Sequence, residues 1–75
     1  MKQLVEYLIK SLSDHPEKAL VEESESEGTT RFRVTVADED KGKVIGKQGK
    51  VIKAVRALVA AAGSKSGRRT AVDVD

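Results

Sequence analysis

The chain has 75 residues, 39% hydrophobic and 35% charged, with a formal net charge of +2. That is one small domain, too apolar for a disordered chain, and with no Cys and one His it has no disulfide or zinc staple. Split by position, the bland total separates into net −4 over residues 1–28 and net +6 over residues 29–75, with nine basic and no acidic residues over 41–69, a pattern that points to a polyanion partner.

Residues 1–12 place Leu4, Leu8 and Leu12 at four-residue spacing beside Val5 and Ile9, one apolar stripe at helical period. Asp14-His15-Pro16 ends that helix, because proline restricts the residue before it and cannot donate the next helical hydrogen bond. Residues 18–26 are rich in Glu and predict an edge strand whose charges discourage edge-to-edge pairing. Glu27-Gly28 reads as a turn. Phe32, Val34 and Val36 then alternate with Arg31, Arg33 and Thr35, the clearest strand in the chain, with the two Arg on its outer face. Asp38 is the expected N-cap of a short helix running to about Ile45, with Glu39 and Asp40 in its first turn.

Residues 46–49, Gly-Lys-Gln-Gly, interrupt the helical pattern, which resumes over residues 50–62. Gly63 is the expected stop, residues 64–67 a loop, and residues 69–75 a third strand with Val72 and Val74 on one side. The fold class is therefore α+β: helix–strand–strand–helix–helix–strand, with helices packed on one face of a three-stranded sheet.

The glycine-rich loop invites a phosphate reading. A Walker A loop fails, because only Lys43, Val44 and Ile45 separate Gly42 from Gly46-Lys47, and Gln48 cannot replace the magnesium-binding hydroxyl. A dinucleotide fingerprint fails too, since no buried strand precedes the loop. What remains suits a sugar–phosphate backbone. The glycines let the chain turn sharply and a ligand come close. The first amides of the helix opened by Gly49 and Lys50 face an anion. Lys47 puts a cation at the tip, Gln48 hydrogen-bonds phosphate or ribose, and Lys43, Lys50 and Lys53 widen the positive field. Ile45, Val44 and Ile52 form an apolar floor for unstacked bases.

The run Val44-Ile45-Gly46-Lys47-Gln48-Gly49-x-x-Ile52 resembles the KH signature Val-Ile-Gly-x-x-Gly-x-x-Ile, whose loop clamps about four nucleotides. With both early strands preceding the helix pair, the order resembles the type II KH fold. The length, the N-terminal helix, Ala54-Val55-Arg56 and Asp73-Val74-Asp75 further resemble the small bacterial single-domain KH proteins of the KhpA family, across residues 1–75. The resemblance implies a cytoplasmic protein that binds single-stranded RNA with broad specificity. It also implies dimerisation with a second copy or with a larger KH-containing protein, KhpB, and a tie to cell elongation and division.

The remaining residues narrow the choice. Tyr7 and Phe32 are the only aromatics; Phe32 fits the core and Tyr7 its border. RRM and cold-shock folds stack bases on several exposed aromatics and are disfavoured. Over residues 50–62, Ile52, Val55, Val59 and Ala62 fall within about 80° of arc and cover the sheet, leaving Leu58 with Ala54 and Ala61 beside that stripe. They form the expected dimer interface, since so small a core, supplying about 3–5 kcal/mol, needs help. An interaction module acting mainly through Leu58 is the second functional reading. No nucleophile–base pair, metal cluster or cofactor fingerprint occurs, so no enzyme, cofactor or metal is expected. With no apolar run near the roughly 18 residues of a membrane span and no leader pattern, the expected location is cytoplasmic.

Overall fold

The computed structural model describes residues 1–75 and orders the elements as α1 (Lys2–Leu12), β1 (Leu20–Ser26), β2 (Thr29–Thr35), α2 (Asp38–Ile45), α3 (Lys50–Lys65) and β3 (Arg69–Val74). This is the α+β order expected from the sequence. The sheet runs β1-β2-β3, with β1 antiparallel and β3 parallel to the central β2.

In α1 the innermost line is Val5 and Ile9, both fully buried, while Leu4, Leu8 and Leu12 flank it half-buried. Tyr7 does not border the core. It is 70% exposed, because it falls on the helix face opposite Val5 and Ile9. After α1, Pro16–Lys18 forms a single 3₁₀ turn, so β1 begins at Leu20 rather than at residue 18. Proline's fixed φ suits the first position of such a turn.

Ser26 pairs with Thr29 across a two-residue loop in which Glu27 and Gly28 have φ of 52° and 80°. Two successive positive φ values are those of a type I′ turn, whose twist matches the strands it joins. In β2, Thr30, Phe32 and Val34 face inward, and Arg31 and Arg33 face outward. The outward Arg side chains are neutralised across the parallel ladder, Arg31 by Asp73 at 2.7 Å and Arg33 by Asp75 at 3.7 Å. All three helices pack on the other face, where an eleven-residue apolar cluster centres on Phe32; burying a side chain of that size contributes roughly 1.5–3 kcal/mol.

Two helix ends differ from expectation. Ala37, not Asp38, stands at the N-cap of α2, and no side chain caps it; Asp38, Glu39 and Asp40 all lie in the first turn. Asp40 turns inward, for the reason given below. The helix α3 also runs past Gly63 to Lys65. Gly63 is buried, and a Cβ there would stand 2.7 Å from Thr70 Cγ2 and 3.1 Å from the Arg68 carbonyl oxygen. It therefore serves the close approach of α3 to the start of β3. The stop is Gly67, with φ of 70°. Its N–H donates to the Ser64 carbonyl at 3.0 Å, and the Arg68 N–H to the Gly63 carbonyl at 2.8 Å, the paired bonds of a Schellman motif.

Candidate nucleic-acid interface

The loop between α2 and α3 is built by three departures to positive φ within four residues. Gly46 has φ of 78° and ψ of 172°, Gln48 φ of 57°, and Gly49 φ of 76°. Only glycine adopts the first of these without strain. Gly46 is also pressed on Val51: a Cβ would meet Val51 Cγ2 at 2.3 Å and the Val51 nitrogen at 2.8 Å. The loop is thereby folded tightly against the first turn of α3, with Lys47 and Gln48 left exposed at its tip.

Residues 47–49 form one 3₁₀ turn, which spends amides expected to face a ligand. The Gly49 N–H donates to the Gly46 carbonyl at 3.1 Å, and the Lys50 N–H to the Lys47 carbonyl. The apolar floor is also narrower than expected. Val44 and Ile52 belong to the buried cluster, since α2 and α3 turn these side chains toward the sheet. Ile45 alone stays at the surface, 38% exposed.

The candidate cations fall into two groups. Lys47, Lys50 and Lys53 are exposed and take part in none of the molecule's ion pairs. Lys43 is different: its ammonium is bound by the Asp14 carboxylate from the segment after α1. Arg31, Arg33, Lys41 and Arg68 are likewise paired, with Asp73, Asp75, Asp38 and Glu25. Pairing thus engages the two lysines of α2, Lys41 and Lys43, and leaves Lys47, Lys50 and Lys53 unneutralised at the loop and the head of α3.

Behind Lys43 lies Asp40, 1% exposed. Its Oδ2 accepts the His15 backbone N–H at 2.9 Å, and His15 Nε2 lies 3.2 Å from Glu39 Oε2. Burial raises the Asp40 pKa, but backbone N–H groups of His15 and Asp14, with the charges of His15 and Lys43, outweigh it and hold the carboxyl below its ordinary value. The Asp14 hydrogen bond is the largest influence on Lys43; with the Asp14 and Asp40 charges it outweighs desolvation and raises that ammonium.

Two further features flank the loop. Gly42, one turn back from Gly46, is exposed and would have nothing within 4 Å of a Cβ, so no contact inside the chain requires a glycine there. On α3, Lys50, Lys53 and Arg56 follow at three-residue spacing toward a shallow hollow of about 270 Å³ between α3 and β3. There the Arg56 Nε donates to the Val72 carbonyl at 3.0 Å. That spacing was the signal in the sequence for Arg56. Its bond to β3 needed the fold. The other candidate surface, Ala54, Leu58 and Ala61, lies on the solvent side of α3, with Leu58 55% exposed.

Residues 2–74 match the family described as "KhpA/KhpB, KH domain". The chain belongs to the KhpA/KhpB KH-domain family. It is 45% identical to a Clostridium acetobutylicum protein over 99% of both chains. It is 38% identical to a Listeria monocytogenes protein over 99% of this chain and 97% of that one. A Chlamydia pneumoniae protein is 36% identical, with 99% and 95% covered. Each of the three is named RNA-binding protein KhpA. The KhpA/KhpB assignment agrees with the α+β element order, and it is the assignment of a binding domain rather than an enzyme. No helix of this KH domain is long and apolar enough to cross a membrane.

Proposed function

We propose that all 75 residues act as one KH domain that binds single-stranded RNA without catalysis. The RNA backbone lies across residues 46–49, held by Lys47, Gln48 and the close approach that Gly46 and Gly49 permit. Lys50 and Lys53 extend the positive field along α3, Ile45 supports a base, and Lys43 joins from the rim. The observation that carries this reading is that Lys47, Lys50 and Lys53, at the loop tip and the head of α3, stay exposed and outside every ion pair, while Lys41 and Lys43 on the preceding helix are paired within the chain. The name shared by relatives at 36–45% identity supports it. Phosphate contacts position the strand while base edges specify it, and few side chains here reach base edges, so specificity is broad.

The same reading includes a dimer through Ala54, Leu58 and Ala61, with a second copy or with KhpB as the other half, in the cytoplasm, in service of cell elongation and division. The exposure of Leu58 on an alanine-lined helix face supports the dimer. It also supports the alternative of a protein-interaction module.

Replacing Lys47 and Gln48 together with Asp abolishes RNA binding and leaves the circular dichroism spectrum unchanged on this reading. A folded double variant that still binds RNA as the parent does sinks it. Contact with about four phosphates of a single strand gives a log–log salt slope near −3; a flat response favours the interaction module.

A further inference from the structure

Resting on the RNA reading above, we infer that Asp14 is an internal competitor for RNA: it occupies the Lys43 ammonium in the free protein and yields it to a phosphate when RNA binds. Lys43 stands three residues before Gly46 on α2, the neighbouring spacing on a helix surface. Its cation is therefore within side-chain reach of a phosphate on the loop. The side chain is 54% exposed and Asp14 62% exposed, so exchange between the two anions needs no unfolding.

The contact is not a chance meeting of two mobile side chains. Asp14 precedes His15, whose backbone N–H is held by the buried Asp40 at 2.9 Å. Asp40 Oδ1 makes no hydrogen bond within the chain. Asp40 thus anchors the segment after α1 onto α2 and keeps Asp14 over Lys43. The raised pKa of Lys43 accords with the same pairing. Other cations of the chain are also paired, but Arg31 and Arg33 lie on the open sheet face and Arg68 at the far end of α3. Among the candidate RNA-binding cations, Lys43 alone carries an internal anion.

Exposed ion pairs contribute little in water, so Asp14 tunes affinity rather than blocking binding. The test is a double-mutant cycle of Asp14→Asn and Lys43→Gln, read by binding of a short mixed-sequence single-stranded RNA across a salt series. Asp14→Asn alone raises affinity about two- to fivefold at low salt. A direct Lys43 contact made more often also steepens the log–log slope by up to about 0.7. In the Lys43→Gln background the same substitution gains nothing. Glu17→Gln, which removes a charge three residues along the chain from Asp14 and in no ion pair with Lys43, controls for a general change of field.

A gain that persists undiminished without Lys43, or an unchanged affinity and slope in Asp14→Asn, overturns the competitor role. Loss of stability with unchanged RNA binding also overturns it and makes the pair a structural tie only. The Lys47→Asp, Gln48→Asp variant separates the two failures: if it binds as the parent does, the loop reading fails and this inference fails with it. If it does not bind and the cycle shows no coupling, only the competitor role is lost.

Discussion

Gly46 and Val51 interlock: no Cβ fits at residue 46, because it would stand 2.3 Å from Val51 Cγ2. The backbone at Gly46, φ 78° and ψ 172°, is moreover a region that side-chain-bearing residues enter at a cost of order 1–3 kcal/mol. Gly46→Ala therefore suffers strain and overlap together, and overlap with Val51 also involves backbone. The expected loss approaches the about 3–5 kcal/mol available to a domain of this size, and the variant is largely unfolded in a urea titration. Gly49 shares the positive φ, 76°, but has open space where a Cβ would stand. Gly49→Ala is expected to lose only about 1–2 kcal/mol and to keep its fold. Equal stability of the two variants would contradict the interlock.

Gly42 reverses the sign. It has ordinary helical backbone, and nothing lies within 4 Å of a Cβ, so Ala is better there by up to about 1 kcal/mol. For a domain this small that is a rise in Tm of roughly 4–8 °C per kcal/mol. On the RNA reading the added methyl stands where the ligand approaches α2, one turn from Gly46, and affinity falls as stability rises. Stabilisation with undiminished RNA binding would place residue 42 outside the RNA footprint.

What the sequence disclosed and what it hid divide along the distance between partners. The alternation through Phe32, Val34 and Val36, the Glu27-Gly28 turn and the four-residue spacing in α1 are local patterns, and the elements they predict are present. The glycine loop was legible for the same reason. Gly63 misled because a glycine after an alanine run has the local form of a helix stop, while its role is set by Thr70 and Arg68. Asp40 has the local form of a first-turn acid, yet its partner His15 is 25 residues away. Lys43 belonged by adjacency to the loop cations, but Asp14, 29 residues away, had already engaged it. Val44 and Ile52, beside the loop in sequence, point away from it because both helices must also cover the sheet.

Asp40 and Lys43 bound the fold at opposite ends of the pH scale. The Asp40 carboxyl is held below its ordinary 3.8, so its contribution is complete above that value and is lost as pH falls through the lowered one. The Lys43 ammonium is held above its ordinary 10.5. Its contribution is complete below that value and is lost as pH rises through the raised one. Between about pH 5 and pH 9 neither group gives stability a slope. Asp40→Asn keeps an acceptor for the His15 N–H but no titrating charge, and its urea midpoint is expected to fall less steeply than the parent's in acid. Lys43→Gln should flatten the alkaline limb alone. Identical acid limbs in parent and Asp40→Asn would remove Asp40 as the anchor.

Leu58 tests the dimer without touching the fold. It is 55% exposed and outside the buried cluster, so a monomer tolerates Asp there with an unchanged circular dichroism spectrum. In a two-fold dimer the same patch serves both copies, and one substitution acts twice. Each Asp would enter an apolar contact between Ala54 and Ala61. Removing water from an unpaired carboxylate costs several kcal/mol, enough to lower dimer affinity by two orders of magnitude or more. Sedimentation is expected to show a dimer for the parent and a monomer for Leu58→Asp. The parent's Tm should rise with protein concentration, as linkage to association requires, while the variant's stays level. A parent and variant of equal mass at every concentration would exclude this face as the interface, and an RNA affinity unchanged in the monomeric variant would show that each loop binds independently of its partner.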